Sequence, residues 1–474
     1  MNIIVIMLDS LRPDHLGCYG NPWIKTPNID AFAKESIVFE RAYAEGMPTL
    51  PVRTALFTGK YTLMRRGWQR LEPEDIPLAE VLWDSGYVTA LISDTYHMHK
   101  PTMAYERGFD YVKWIRGQEA DPYIVDPNIK VDLSKWSPKN YLTDHDRNVF
   151  TQYLKNAAHW KSEEDHFVAQ VVKEAIKWLE EQVARGRKDR IFLWLDSFDP
   201  HEPWDPPQEY YELYAPDYSG LPIIQPSIGG KDGGFIKHFT LPEIQHIRAQ
   251  YAGEITLVDK WVGIFFEKVK ELGLWENSLI VIISDHGEPL GEHGIIRKVR
   301  PWPYEELSRI VFMIKPPEEL GAKPKRVKTF VQTVDLAPTI VDLLKLPEER
   351  SRWTVKPSYE GKSLLPVLLG EEEENVRDCA TAGHYGRSWS IRTEDYSLYL
   401  WPQQMTPYTF GTRYIKEQEK TEPELYRLDR NYLPPPPKDW SIGDQPEKEN
   451  IFNEEKEVAK ELELKLRRIL MKII

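Results

Sequence analysis

Three residues combine hard oxygen donors and an imidazole in a pattern that suits a divalent cation. Asp9 follows the apolar run Ile3-Ile4-Val5-Ile6-Met7-Leu8, and Asp285-His286 follow the apolar run 279–283. Two carboxylates and an imidazole at the ends of neighbouring strands are the ligand types of a divalent-metal site. Singly, Asp9 reads as a helix cap and His286 as part of a hydrogen-bonded turn. Together, on segments expected side by side, they favour the metal. A second pattern is Thr49-Leu50-Pro51-Val52-Arg53, continuing to Thr58-Gly59. Thr49 has the chemistry of an N-cap and Pro51 falls in the first turn. A helix start attracts anions and can stabilise an alkoxide. Arg53, one turn on, could reach the same anion with its planar guanidinium. An ordinary capped helix with an exposed arginine satisfies the same pattern.

The elements that must position these groups follow one design. Apolar runs at 3–8, 88–92, 191–195 and 279–283 end in Asp9-Ser10, Ser93-Asp94-Thr95-Tyr96-His97, Asp196-Ser197-Phe198-Asp199-Pro200-His201 and Ser284-Asp285-His286-Gly287. Strands of about five residues, apolar on both faces, suit the centre of a parallel sheet. Helical spacing at 28–39, 77–85, 165–185 and 242–272 lies between them. The alternation predicts an α/β fold, a doubly wound, mostly parallel sheet flanked by helices. Ligands bind such sheets beyond the carboxyl ends of the strands, where all four runs carry carboxylates or histidines. Residues 120–137 and 204–234 read as irregular walls near that edge. After about residue 370 the pattern changes to short antiparallel strands at 388–391 and 396–401, then a helix over 453–474. The expected division is a catalytic domain over 1–370 and a smaller C-terminal α+β subdomain over 371–474.

Composition narrows the function classes. The chain has 474 residues, 41% hydrophobic and 28% charged, which is enough for a folded core and excludes a disordered chain. Lys plus Arg total 61 against 74 Asp plus Glu, a net charge of −13. That balance opposes non-specific nucleic-acid binding, and no nucleic-acid partner is expected. The 2 cysteines, Cys18 and Cys379, cannot build a disulfide framework or a Cys-rich zinc site. The first apolar run is too short to span a membrane and lacks a basic leader and a small-residue cleavage site. No membrane span and a cytoplasmic location are expected; a homo-oligomer stays open.

At this point a family resemblance is visible. Asp9-Ser10-Leu11-Arg12-Pro13-Asp14-His15-Leu16-Gly17-Cys18-Tyr19-Gly20 resembles the opening metal-binding segment of the sulfatase family, part of the alkaline phosphatase superfamily. Thr26-Pro27-Asn28-Ile29-Asp30 is similar to the family's next turn and helix. Thr49-x-Pro51-x-Arg53…Thr58-Gly59 is similar to its signature Cys/Ser-x-Pro-x-Arg…Thr-Gly. Asp199-Pro200-His201-Glu202-Pro203-Trp204, Ser284-Asp285-His286-Gly287-Glu288…Gly291-Glu292-His293-Gly294, Lys298…Tyr304-Glu305-Glu306 and Val334-Asp335-Leu336-Ala337-Pro338-Thr339-Ile340 also match, in order, over nearly the whole chain. The resemblance implies that Asp9, Asp285, His286 and the oxygen of Thr49 ligate the metal. It puts Thr49 at the nucleophile position, with Arg53 holding it. His201 and Lys298 would contact the transferred group or the leaving oxygen. Asp94 and His97 would line the pocket, and Arg300 competes with Lys298 for the cationic role. His293 and His384 rank above the remaining histidines, His384 because it could reach in from the C-terminal part.

Two departures direct the functional expectation. The family normally converts a Cys or Ser at the signature position into formylglycine, whereas this chain has Thr49, so no formylglycine is expected. A threonine alcohol lacks the second hydroxyl that expels sulfate, yet it can attack phosphorus and be released by in-line attack of water. Ser10 stands where many sulfatases have another ligating Asp, and His286 where many have Asn. Fewer carboxylates and one imidazole favour Mn2+ or Zn2+, with Ca2+ or Mg2+ open, as the one divalent ion. The expectation is a metal-dependent hydrolase of small anionic esters, a phosphodiesterase or phosphonate monoester hydrolase using Thr49. Its alternatives are a sulfatase acting without formylglycine and a catalytically weak anion-binding relative.

Overall fold

The run Asn2–Leu8 forms a strand whose alternate residues face two different cores. Ile4, Ile6 and Leu8 pack into one apolar cluster and Ile3, Val5 and Met7 into the other. Period-two alternation with both faces apolar is what a strand covered by helices on both sides requires. The computed structural model describes residues 1–473 apart from 216, 230–232, 299, 347–356, 372–375 and 403–419.

In chain order the strands are β1 (Asn2–Leu8), β2 (Ile37–Tyr43), β3 (Gly46–Met47), β4 (Val88–Ser93), β5 (Tyr111–Trp114), β6 (Ile191–Ser197), β7 (Ser278–Ile283), β8 (Phe312–Lys315), β9 (Lys325–Gln332), β10 (Ala380–His384), β11 (Ser388–Arg392), β12 (Tyr396–Leu400) and β13 (Glu424–Arg427). The large sheet has 8 strands in the order β5-β4-β6-β1-β7-β8-β2-β9. Its centre, β4-β6-β1-β7, is parallel throughout and consists of the four runs singled out in the sequence. Only β8 runs antiparallel to its neighbours. Helices Phe167–Ala184 and Leu241–Glu271 cover one face, and Thr49–Thr58 and Leu336–Leu343 the other. This is the mixed α/β architecture expected, a mostly parallel sheet flanked by helices.

One segment departs from its expected form. The helical spacing over 28–39 yields a helix only at Pro27–Ala33, and the chain then turns into β2. Ile37, Val38 and Phe39 pack between β8 and β9 as strand residues, where branched and aromatic side chains fit the pleated surface better than a helix.

A second sheet, β13-β12-β11-β10-β3, gathers the C-terminal strands. It also includes β3, which pairs parallel with β10 from the region just before Thr49. The helix expected over 453–474 runs Lys456–Ile473, with residue 474 outside the described residues. Its Leu462, Leu466, Leu470 and Ile473 bury a stripe against Ile391, Leu398 and Leu425. Among the described residues no helix is long and apolar enough to cross a membrane.

Candidate active site

The carboxyl ends of β4, β6, β1 and β7 converge on the start of helix Thr49–Thr58, whose ten residues are all buried. Thr49 has φ +23°. A β-branched residue is disfavoured there, at a cost of about 1–3 kcal/mol that the surrounding packing must offset. Its hydroxyl Oγ1 lies 3.3 Å from His286 Nε2. The His286 ring is oriented by Nδ1, 2.8 Å from the Gly287 carbonyl. With Nδ1–H donating there, Nε2 keeps its lone pair toward Thr49. Burial holds this imidazole neutral, pulling its pKa to about 4 although Asp285 opposes the shift.

Arg53 anchors the charges. Nε and Nη2 donate to the two oxygens of Asp196 at 3.0 and 2.7 Å, and Nη2 also to Thr95 Oγ1 at 3.3 Å. Nη1 donates to Asp285 Oδ2 at 2.7 Å and to the Thr49 carbonyl at 3.3 Å, and lies 3.1 Å from Asp9 Oδ2. Arg53, Asp9, Asp196 and Asp285 are all fully buried. The exposed arginine of the bland alternative is therefore not what the fold builds, and all five guanidinium N–H groups point at protein acceptors.

Asp9, Asp285 and His286 offer ligand atoms within 4.8 Å of one another. Asp285 Oδ1 accepts the Ser10 and His286 N–H groups at 3.0 and 2.8 Å. Asp9 Oδ1 accepts the Ser10 hydroxyl at 2.9 Å, whereas Asp9 Oδ2 is buried without a hydrogen-bond donor. Burial and the neighbouring Asp285 push the Asp9 carboxyl well above the usual range. Asp285 moves the other way, because His286 and Arg53 outweigh its burial. A buried carboxylate oxygen without a donor, beside a second carboxylate and a neutral imidazole, suits a divalent cation.

Lys298 joins this group from the opposite side. Its Nζ reaches Ser10 Oγ at 3.3 Å, Glu202 Oε2 at 3.3 Å and Glu288 Oε2 at 3.0 Å. These carboxylates and Asp9 outweigh burial and hold the ammonium above its ordinary pKa. His201 stacks on Phe198 with ring centroids 3.8 Å apart, and its Nδ1 lies 2.5 Å from the Glu202 carbonyl. Burial and the Lys298 charge hold His201 well below 6.5, so it is neutral with Nε2 unprotonated.

The remaining sequence candidates scatter. Asp94 Oδ1 accepts the Phe198 N–H at 2.7 Å and braces the loop that carries His201. His97 Nε2 lies 2.8 Å from Glu119 Oε2. Both line a cavity of about 160 Å³ with Tyr96, Lys100, Gln225 and Arg297. Arg300 turns away, with its guanidinium over the Phe235 ring and Nη2 donating to the Gly233 carbonyl at 3.2 Å. Sequence reasoning named no role for Asp196, Glu202, Glu288 or Glu119. The first lies at a strand end, and Glu202 and Glu288 lie inside the matched motifs, so position was their only signal.

The fold is a mostly parallel α/β sheet whose strand ends gather a cluster of the ligand types that could hold a divalent metal. The model of the family described as Sulfatase matches residues 1–346, and the chain belongs to the sulfatase family. An arylsulfatase from Clostridium perfringens is 27% identical over 429 residues, covering 81% of each chain. The multifunctional alkaline phosphatase superfamily protein PehA of Trinickia caryophylli is 26% identical over 422 residues, covering 81% of this chain and 79% of that one. The phosphonate monoester hydrolase of Agrobacterium radiobacter superposes with a TM-score of 0.72 at 20% identity, over 100% of this chain and 96% of the other. That last likeness concerns the fold alone. The protein is accordingly a sulfatase-family hydrolase of anionic esters, a family whose enzymes use a divalent metal.

Proposed function

We propose that this chain hydrolyses phosphodiesters or phosphonate monoesters with Thr49 as the nucleophile. Thr49 itself carries the reading: an alcohol that cannot become formylglycine, with Oγ1 3.3 Å from an unprotonated His286 Nε2. Asp9, Asp285, His286 and Thr49 Oγ1 would hold the ion. Two carboxylates and an imidazole favour Mn2+ or Zn2+ over Ca2+ or Mg2+. When bound, a divalent ion supplies Lewis acidity toward the attacking hydroxyl and a non-bridging ester oxygen. In the first step Thr49 Oγ1 gives its proton to solvent, the Oγ1–phosphorus bond forms and the bond to the leaving oxygen breaks, that oxygen taking its proton from His201. Water then attacks phosphorus in line, passing a proton to His201, and the bond to Thr49 Oγ1 breaks as that oxygen regains a proton from solvent.

The other residues act around this exchange. Arg53 has no N–H to spare and is a positioning residue, fixing Asp285, Asp9 and the first turn of the helix. Lys298, which touches Ser10, faces the anion in preference to Arg300, which lies on Phe235. His201 must gain a proton at Nε2 before it can protonate the leaving oxygen. A bound anionic ester favours that proton by offsetting the Lys298 charge. Asp94 holds the His201 loop, and His97 with Glu119 forms the wall facing the organic group.

One manganese-loaded preparation tested on aryl sulfate, phosphate monoester, phosphate diester and phosphonate ester with a common leaving group decides the reading. Faster turnover of the diester and phosphonate, with negligible sulfate turnover, is expected. Dominant sulfate turnover would overturn the threonine mechanism and favour sulfate ester hydrolysis, the activity named in the Clostridium perfringens relative.

A further inference from the structure

The cations around the centre are already engaged. Arg53 is bound to three aspartates, Lys298 to Glu202 and Glu288, Arg297 to Glu202, and Arg12 to Asp14 and Glu292. Arg387 differs. The residue is only 6% exposed, yet no hydrogen bond or ion pair engages its guanidinium among the described residues. Burial alone shifts it, and it lowers the pKa.

Its place follows from strand pairing. β3 and β10 run parallel, with Gly383 opposite Gly46 and His384 opposite Met47. Chains paired in parallel leave the sheet at the same end. Beyond β3 the chain enters Pro48 and Thr49. Beyond β10 it makes the tight turn Tyr385-Gly386-Arg387 into β11, with the Arg387 N–H donating to the His384 carbonyl at 2.9 Å. The turn therefore stands beside the start of the Thr49 helix. The His384 imidazole, 9% exposed, lies within the fields of both His286 and Arg387, which add to burial in keeping it neutral. The catalytic centre, His384 and the uncompensated guanidinium thus form one contiguous edge.

We infer that Arg387 and the β10–β11 turn form a second anion subsite, which selects substrates carrying an additional oxyanion on the organic part beside the ester that is cleaved. This rests on the anionic-ester reading above and deepens it. A partly desolvated guanidinium without a counter-charge is unfavourable in the free protein, and a ligand carboxylate, sulfate or phosphate supplies the missing charge with matched planar geometry. A substrate with the ester as its sole charge leaves Arg387 uncompensated, so the subsite discriminates by charge.

Binding measures this without turnover. On the metal-loaded full chain, calorimetry compares phenylphosphonate with 3-carboxyphenylphosphonate and 4-carboxyphenylphosphonate. One carboxylated ligand should bind the wild type roughly 10- to 100-fold more tightly than phenylphosphonate, the range of a charge-assisted hydrogen bond. Arg387→Met should abolish that preference and leave phenylphosphonate affinity unchanged. Arg387→Lys should retain part of it, and the melting temperature of Arg387→Met should equal or exceed the wild type's. Absence of a preference in the wild type, its survival in Arg387→Met, or equal weakening of all three ligands would overturn the subsite. So would a markedly lower melting temperature, which would mean that protein contacts hold the guanidinium. If the wild type binds none of the three, the anionic-ester reading fails and the subsite with it.

Discussion

Among the described residues, two clusters each bring one histidine and two carboxylates within 4.8 Å: Asp9, Asp285 and His286 at the strand ends, and His293, Glu306 and Glu447 beneath the second sheet. By residue type they are equivalent; their hydrogen-bond partners make them different. His286 Nδ1 faces a carbonyl and burial keeps the ring neutral, so Nε2 has a lone pair. His293 Nδ1 lies 2.8 Å from Glu306 Oε1, and that carboxylate holds the ring above its ordinary pKa although burial opposes it. A raised pKa makes that ring the poorer metal ligand, because the proton competes for its lone pair. Glu447 accepts the Ser397 and Tyr399 hydroxyls and the Glu305 N–H, and the His293 ring lies flat on Tyr304 at 3.6 Å. Each cluster holds a buried carboxylate oxygen without a donor, Asp9 Oδ2 in the first and Glu306 Oε2 in the second, but only the first faces Thr49 and its positive φ. The second is a hydrogen-bonded clasp between the Glu292–Gly294 turn, helix Glu305–Ser308 and the C-terminal sheet. How tightly each imidazole holds its proton, more than which residues gather, separates the two clusters.

The contrast can be broken at either end. Thr49→Ala should lower turnover by about 10³-fold or more while leaving the fold intact, as measured by kcat and circular dichroism. Wild-type turnover in that variant would remove the nucleophile assignment. Asp285→Asn should weaken metal affinity by about 100-fold or more, whereas Glu306→Gln should leave metal content unchanged. Elemental analysis of both purified variants checks the pair, and a Glu306→Gln protein that loses metal would mean that both clusters bind the ion. Glu447→Gln should cost about 1–3 kcal/mol in denaturant unfolding, because it disturbs a buried acceptor of three hydrogen bonds, with kcat/KM per folded molecule nearly unchanged.

The smallest effect is a pH dependence. His293 has a raised pKa in the folded state, so its stabilisation is complete below the unfolded value of about 6.5 and is lost as pH rises through the folded value. Stability of the wild type relative to His293→Asn should therefore decline above about pH 6.5. A flat difference between pH 5 and 9 would show that His293 does not change its proton on unfolding.

Much of the fold was legible because the signals are local. The alternation of Ile4, Ile6 and Leu8 against Ile3, Val5 and Met7 marks a strand buried on both faces, and the abrupt change to Asp9 marks its end. The same logic found β4, β6 and β7. It failed at Ile37-Val38-Phe39, where apolar spacing fits a helix as well as a strand and only the gap between β8 and β9 decides. Motif order pointed to Thr49, Arg53, His201 and Lys298, but no local pattern distinguishes an exposed Arg53 from one enclosed by three aspartates.

The chain's own order thus determines which functional groups arrive at the strand ends, because strand polarity and side-chain type are written residue by residue. Packing decides what those groups are once there. Arg53 meets Asp196 across 143 positions and Asp285 across 232. Burial lowers the pKa of His286, while Glu306 raises that of His293. Arg387 comes to the edge of the centre through the pairing of β3 with β10. Desolvation and Coulomb interaction depend on distance and surroundings in three dimensions, so protonation and charge compensation arise only when the chain has folded.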